Sequence, residues 1–139
     1  MSLNGIITKS KLVSSPKEIA FPESVIKDLT ELSGESGKVL IVYASNVKAI
    51  YFFSVESEVI KISIKIYPLT SRIVAKIMAK INEFANKITY STGLCLVDDV
   101  CVWEGFLEAR HLTRSIEDVN TLLREIEEVQ DVKIEEVPH

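Results

Sequence analysis

Residues Val59–Tyr67, which read VIKISIKIY, alternate apolar and polar side chains more regularly than any other stretch of the chain. Isoleucine stands at positions 60, 62, 64 and 66, whereas positions 61, 63, 65 and 67 hold lysine, serine, lysine and tyrosine. Because successive side chains of a strand point to opposite faces of a sheet, this pattern predicts a strand with one buried face. Pro68 ends it, since proline cannot donate a ladder hydrogen bond.

A helix is predicted after Pro68. Thr70 or Ser71 can cap its first turn. Apolar residues then recur at helical spacing on one face, at Ile73, Val74, Ile77, Ile81, Phe84 and Ala85. Two strands follow over residues 88–97 and 100–109, joined at Asp98-Asp99, a pair typical of turns. Ser115 begins a second amphipathic helix, and residues 132–137 alternate once more.

The order from residue 59 onward is therefore β-α-β-β-α-β. We expect an α+β fold in which two helices cover one face of a four-stranded antiparallel sheet, the ferredoxin-like sandwich. Residues 1–58 form an N-terminal extension in this interpretation. It contains one helix, which enters at Phe21-Pro22, and a β-hairpin whose strands 38–44 and 47–55 meet at a two-residue Ser45-Asn46 turn. Before the helix, the apolar residues at positions 6, 7, 12 and 13 allow a short strand or hairpin. The predicted division is thus 1–58 and 59–139.

Composition narrows the class of protein. The chain has 139 residues, of which 47% are hydrophobic and 26% charged, so it fits one globular domain and excludes a disordered tail. Its 17 isoleucines and 15 valines favour a sheet. The net charge is −4, whereas a general nucleic-acid binder usually carries a basic surface. We therefore expect no direct nucleic-acid partner. Residues 115–139 hold 8 acidic and 2 basic residues, which concentrates the negative charge there.

The cellular location and the state of the two cysteines are also predicted from the sequence. No apolar stretch approaches the roughly 18 residues that span a membrane, and no signal-peptide pattern opens the chain. We expect a cytoplasmic protein with no membrane partner. Cys95 and Cys101 are too few for a secreted disulfide framework. If Asp98-Asp99 is a two-residue turn, the cysteines face opposite sides as buried, unreactive thiols. A loop of odd length would put them on one side and allow a bridge.

Residues 60–93, IKISIKIYPLTSRIVAKIMAKINEFANKITYSTG, resemble the ACT domain family. In that family a strand turns at a loop like Asp-x-Pro-Gly, enters a helix patterned LxxIxxxL, and continues as a strand that starts Asn-Ile. Pro68 lies in the corresponding loop and Ile88 begins the next strand. The helix pattern is matched by Ile73, Ile77 and Ile81. With the second hairpin and helix, the resemblance covers about residues 59–137.

The resemblance implies a regulatory domain that binds a small effector such as an amino acid, forms a homo-oligomer through its sheet, and acts in metabolic or transcriptional regulation. It places the ligand at the loop made of Pro68, Leu69, Thr70, Ser71 and Arg72. The glycine of the family's loop is absent here, and bulkier residues stand in its place. Arg72 and the backbone amides at the helix N-terminus favour an anionic group of the ligand.

The sequence does not predict an enzyme. His111 is interpreted as a solvated loop histidine, although a buried cluster of His111 with carboxylates would favour an enzyme. Arg72, Arg110 and Arg114 could together receive a carboxylate or phosphate if they met in space. With no nucleophile–base pair and no metal-ligand set in view, we expect no catalytic residue, no metal and no cofactor. The alternative function is an oligomerisation or protein-interaction module without a ligand.

Overall fold

A computed structural model describes residues 7–96 and 99–139 of the chain. Within these ranges the chain forms three α-helices and seven strands. In chain order they are β1 (Thr8–Val13), α1 (Glu23–Ser33), β2 (Val39–Ala44), β3 (Ala49–Ser54), β4 (Val59–Ile66), α2 (Ser71–Phe84), β5 (Tyr90–Cys95), β6 (Cys101–Glu108), α3 (Ile116–Arg124) and β7 (Val129–Glu136). The protein is α+β, with one three-stranded and one four-stranded antiparallel sheet.

The three-stranded sheet, here called the N-terminal sheet, has the order β1-β2-β3. The hairpin between β2 and β3 was expected. Of the two possibilities for the segment before the helix, a single strand is observed, and this strand, β1, pairs with the free side of β2. Ala44 pairs with Ala49, so four residues connect the two strands and the predicted two-residue turn at Ser45-Asn46 is wrong. Helix α1 contacts β3, and just before the helix the ring of Phe21 meets that of Phe52 on β3 edge to face, with centroids 5.5 Å apart.

The four-stranded sheet, here called the central sheet, has the order β5-β6-β4-β7. Strand β4 lies in its interior, hydrogen-bonded to β6 on one side and to β7 on the other. The predicted alternation of β4 is confirmed on the face that carries helices α2 and α3. There the four isoleucines of β4 join a core of buried apolar residues from both helices, listed as Ile73, Ile77, Ile81, Phe84, Val119, Leu123 and Ile126.

The opposite face of the central sheet is covered as well. The N-terminal sheet lies against it and contributes to a second apolar core, made of Leu12, Leu40, Val42, Val55, Val59, Phe106 and Val137. The prediction that β4 has a single buried face is therefore wrong. Lys61 and Ser63, which the alternation places on the polar face, are as buried as the isoleucines beside them. The N-terminal sheet, which precedes β4 in the chain, packs on this face. The alternation within a strand does not reveal contacts with residues so far away in the sequence.

A buried ion pair lies between the two sheets. Lys61 is 3% exposed and Glu104 is 0% exposed, and Lys61 Nζ lies 3.3 Å from Glu104 Oε2. The first strand completes the arrangement: Lys61 Nζ donates to the carbonyl oxygen of Thr8 at 2.9 Å, and Thr8 N and Oγ1 both donate to Glu104 Oε1, at 2.8 and 2.7 Å. Both charges are thus paired and hydrogen-bonded, as burial requires.

Candidate functional site

The loop that follows β4 carries the residues predicted to bind a ligand. It runs from Tyr67 through Pro68 to Thr70, the residue before α2 begins at Ser71. Thr70 has extended backbone and its hydroxyl accepts a hydrogen bond from Ile73 N at 3.3 Å, so Thr70 is the helix cap. The next residues then lie on the first turn of α2. This geometry places the loop between two concave surfaces, one on each side of the helix.

The first surface is a polar cleft with a volume of about 720 Å³. It lies between the start of α2 and the turn that joins α3 to β7. Its lining residues are Tyr67, Pro68, Thr70, Arg72, Ile73, Lys76, Glu127, Glu128 and Gln130. Two backbone-directed hydrogen bonds hold its walls together: Tyr67 N donates to the carbonyl of Glu128 at 2.9 Å, and Gln130 Nε2 donates to the carbonyl of Tyr67 at 3.4 Å.

Charges of opposite sign face each other across the polar cleft. Arg72 and Lys76 stand one helical turn apart on α2, and Glu127 and Glu128 stand on the opposite wall. The Nζ of Lys76 lies 3.7 Å from Oε1 of Glu128, whose side chain is mostly buried. The first amides of α2 have no acceptor within the helix and add positive potential at the same end. The cleft therefore offers a positive and a negative pole a few ångströms apart.

The second surface is an apolar pocket with a volume of about 310 Å³. It lies on the other side of α2, against the free end of the β5–β6 hairpin. Its lining residues are Ile66, Leu69, Val74, Ile77, Met78, Gly93, Leu94, Cys95, Cys101, Val102 and Trp103. None of these carries an ionised side chain.

The predicted ligand-binding residues are therefore divided between the two surfaces. Pro68, Thr70 and Arg72 line the polar cleft, Leu69 lines the apolar pocket, and Ser71 lines neither. Helix α2 lies between the two surfaces, because Arg72 faces the polar cleft whereas Val74, about 200° further around the helix, faces the apolar pocket. A five-residue motif read from the sequence thus contributes to two sites of different chemistry.

Cys95 and Cys101 are joined by a disulfide bond at the edge of the apolar pocket, with Cα atoms 4.0 Å apart. They are direct cross-strand partners, so five residues connect β5 to β6. The prediction of two buried, unreactive thiols is wrong because the two-residue turn on which it rested does not form. The odd-length loop, the other possibility, is the one observed. Asp98 lies outside the described residues, and Asp99 is exposed with a φ of 60°.

Glu108 is the centre of a separate cluster at the end of β6. Its Oε1 accepts hydrogen bonds from the backbone amides of Glu56 and Ser57, at 2.6 and 3.1 Å. Arg110 Nε lies 3.4 Å from the same oxygen and Arg110 Nη1 lies 2.9 Å from Glu56 Oε2. Burial alone would raise the pKa of the Glu108 carboxyl. The two backbone hydrogen bonds and Arg110 together lower it by more than burial raises it, so the pKa lies below its ordinary value of 4.5.

His111 belongs to this cluster rather than to a solvated loop. Its Nε2 lies 3.6 Å from Glu108 Oε2 and is buried without a hydrogen bond among the described residues. The side chains therefore form the histidine–carboxylate arrangement that would favour an enzyme. However, Glu108 is already bonded to two amides and an arginine, and neither residue lines the polar cleft or the apolar pocket. We interpret the cluster as an anchor that ties the β3–β4 connection to the central sheet.

Sequence reasoning missed the opposite wall of the polar cleft. Glu127, Glu128 and Gln130 lie more than fifty residues from the predicted loop, and a single sequence does not show which distant segments meet. The acidic excess in residues 115–139 includes Glu127 and Glu128, but charge content alone does not show which segment these residues face. Arg110 is engaged by Glu56 and Glu108, so it does not join Arg72 in an anion site.

In residues 7–96 and 99–139 no group of three or more histidine, cysteine, aspartate or glutamate side chains could hold a metal ion, and no helix is long and apolar enough to cross a membrane. The chain matches no protein-family model, no curated protein and no solved structure.

Proposed function

We propose that the protein is a small-molecule-sensing regulatory domain, similar to ACT domains, that binds a free amino acid in the polar cleft. The observation that carries this proposal is the pair of opposite charges across the cleft: Arg72 and Lys76 on α2 facing Glu127 and Glu128 on the other wall. An amino acid at neutral pH carries one charge of each sign on neighbouring groups. A site that presents both signs within a few ångströms matches that zwitterion.

The topology supports the proposal at the level of fold. Strands β4 to β7 and helices α2 and α3 follow the order β-α-β-β-α-β, and their strands lie in the order β7-β4-β6-β5. A ferredoxin-like sandwich, the fold of ACT domains, has this chain order. We therefore propose that residues 59–139 form such a domain and that residues 1–58 are an extension that covers its otherwise open face.

The ligand geometry follows from the charges. The carboxylate would lie at the start of α2, where Arg72 can donate two parallel hydrogen bonds and the first amides point outward. The ammonium group would lie against Glu128. Lys76 and Glu128 are already 3.7 Å apart, so a ligand would exchange this partly exposed ion pair for two charge-assisted contacts. Such surface pairs contribute little stability, so breaking this one costs little.

The test is a thermal-shift screen of the twenty amino acids, followed by calorimetry of any that bind. A ligand present at about 100 times its Kd should raise the free energy of unfolding by about 2.7 kcal/mol. Derivatives with a blocked amine or a blocked carboxylate should bind at least about tenfold more weakly, a change of about 1.4 kcal/mol. Arg72→Gln should weaken binding, and Arg114→Gln, which changes an exposed arginine of another loop, should not. A screen without any response would remove the proposal.

A second candidate function, an oligomerisation module without a ligand, is favoured by one feature of the N-terminal sheet. Strand β3 is an edge strand whose sequence, AIYFFS, has no charged residue, and Ile50 on it is 48% exposed. Edge strands that stay unpaired usually carry charges, as β1 does with Lys9 and Lys11. This candidate predicts a dimer by light scattering that no amino acid alters and that Ile50→Lys dissociates, whereas Val47→Lys, in the neighbouring turn, leaves it intact.

The proposal includes a cytoplasmic location. The Cys95–Cys101 disulfide bears directly on it, because such bonds are uncommon in the cytosol outside hyperthermophiles. Mass spectrometry of thiol-blocked protein from the native cell would show whether the bond is present there.

A further inference from the structure

We propose that the apolar pocket beside α2 is a second ligand site, which takes a small uncharged apolar molecule such as a bicyclic aromatic compound or a short alkyl alcohol. It is independent of the amino-acid site, since the two surfaces lie on opposite sides of α2 and share no lining residue. Three features of the pocket carry this inference: how its floor is built, what lines it, and how large it is.

The floor of the pocket depends on two glycines that flank Trp103. Gly93 is the direct cross-strand partner of Trp103, and Gly105 follows Trp103 by two residues on the same face of β6. A Cβ atom on Gly105 would overlap the Trp103 ring, whose Cζ2 atom would be 2.7 Å away. The ring therefore lies over Gly105, and no side chain fills the position across from it on β5. The space beside the Trp103 ring thus exists because Gly93 and Gly105 have no side chains.

The boundary of the pocket is apolar on every side. The disulfide closes it towards the hairpin tip, Leu69 closes it towards the β4–α2 loop, and α2 forms the wall opposite the sheet. Val74 and Met78, one helical turn apart, are 42% and 37% exposed and form the rim. Because no ionised side chain lines the pocket, a charged ligand would lose its hydration there without compensation. The pocket chemistry selects against the zwitterion proposed for the polar cleft.

The volume sets the size of the ligand. A dry apolar cavity of roughly 150 Å³ binds benzene, so a pocket of 310 Å³ has room for two fused rings or a chain of comparable size. Binding pockets for small molecules begin near this volume and are mostly apolar. A second protein molecule is a poorer occupant, because a stable interface buries about 800 Å² per partner. The exposed apolar rim contributed by α2 consists of two side chains.

The chain contains its own reporter for the test. Trp103 is the only tryptophan in the sequence and it lines the pocket. We would titrate the protein with 1-naphthylamine, an uncharged, bicyclic, fluorescent compound that accepts excitation energy from tryptophan. The expected result is saturable energy transfer from Trp103 with one site per chain. Octanol should displace the compound, and octanoate, which has the same chain length but a charge, should do so at least about tenfold more weakly, or about 1.4 kcal/mol.

Two matched variants separate the pocket from general surface hydrophobicity. Val74→Asp places a charge on the rim and should weaken binding at least about tenfold, whereas Ile116→Asp changes a residue of α3 that is 39% exposed and distant from the pocket lining and should change it less than about twofold. Circular dichroism confirms that both variants are folded. If Val74→Asp alone fails to fold, Met78→Lys replaces it. The proposal is overturned by equal effects of the two Asp variants, by non-saturable binding, or by equal displacement with octanoate.

A light-scattering measurement covers the remaining occupant. If a second copy of the chain filled the pocket, the mass would double and the affinity for the fluorescent compound would fall as the protein concentration rises. That outcome would overturn the proposal. An amino-acid response in the thermal screen would be unaffected by it, so the failure of this inference and the failure of the proposed function are distinguishable.

Discussion

Along β4 both faces of the central sheet are buried, but they are built from different chemistry. Towards α2 and α3, strand β4 presents four isoleucines to an apolar core. Towards the N-terminal sheet, apolar residues such as Val59 and Phe106 share the face with Lys61 and Ser63 of β4 and with the buried carboxylates of Glu104 and Glu108 of β6. The difference teaches that alternation along a strand reports which residue types share a face. It does not report which face is exposed to solvent.

The physical roles of the two faces differ accordingly. The isoleucine face gains stability from apolar area removed from water, an effect that does not depend on the direction of individual contacts. The polar face depends on specific atoms meeting at hydrogen-bond distance, such as the oxygen atoms of Glu104 and the backbone and hydroxyl groups of Thr8. We therefore expect the polar face to define how the N-terminal sheet is seated and the apolar face to tolerate conservative change. Four predictions test this contrast, in order of decreasing expected effect.

The largest effect is expected from Glu104→Gln, which leaves the buried Lys61 ammonium without a counter-charge. Removing one partner of a buried ion pair costs about 3–5 kcal/mol of unfolding free energy. Chemical denaturation measures it. The double variant Lys61→Met with Glu104→Gln also removes the ammonium, keeps a side-chain oxygen that can accept from Thr8, and should lie much closer to the wild type. If the single and double variants were equally destabilised, packing rather than charge would account for the loss.

Glu108→Gln is the next in size, with an expected loss of about 1.5–3 kcal/mol at neutral pH, because the lost carboxylate accepts charge-assisted hydrogen bonds. Since the folded state lowers the pKa of Glu108 below 4.5, its contribution is fully present above that pH. It disappears as the pH falls through the folded-state pKa. The difference in stability between wild type and variant should therefore shrink on acidification. A difference that stays constant from neutral to acidic pH would contradict this account.

On the helix-facing side, Gly105→Ala should cost about 1–3 kcal/mol, because the added methyl group overlaps the Trp103 ring and the ring must move. The tryptophan emission should change in the same variant. Gly93→Ala is the matched control across the strand pair: its Cβ would meet the carbonyl oxygen of Val102 at 3.6 Å, an ordinary contact. Equal losses in both variants would show that backbone freedom, and not the ring, is responsible.

The smallest effects compare neighbouring residues of β4. Ile64→Val removes one buried methyl group from the helix-facing core and should cost about 0.5–1.5 kcal/mol. Ser63→Ala removes a buried hydroxyl that has no hydrogen-bond partner among the described residues. It should be neutral or slightly stabilising, because an unsatisfied polar group is removed. Thermal denaturation of the two variants resolves the difference, and a larger loss for Ser63→Ala would mean that its hydroxyl is satisfied in solution.

Local patterning predicted much of the secondary structure, because it depends on residues close in sequence. The stripe from Ile73 to Phe84 and the cap at Thr70 correspond to α2 as observed. The turn at Asp98-Asp99 was predicted too short, since turn propensity identifies a reversal without fixing the number of residues in it. The predicted pairing register was therefore wrong by one residue. It placed Cys95 and Cys101 on opposite faces, although they are direct partners and form a disulfide.

Only one wall of the polar cleft, the candidate site, could be predicted from the sequence. Pro68, Thr70 and Arg72 were identified from the loop and the helix start, where the chemistry is local. The wall formed by Glu127 and Glu128 requires knowing that the α3–β7 turn returns to this end of the sheet. Likewise, the alternation made Lys61 look solvated because its cover, β1, lies more than forty residues earlier in the chain.

The contact between Thr8 and Glu104 joins residues 96 positions apart, and this separation has a consequence for the order of folding. On a ribosome the first strand emerges long before β6 exists, so its amide and hydroxyl cannot reach their final acceptor until most of the chain has been made. Contacts that close such long loops form late and slow the overall reaction. Since the contact needs Thr8 of β1, Lys61 of β4 and Glu104 of β6 together, it can be completed only after all three strands have met.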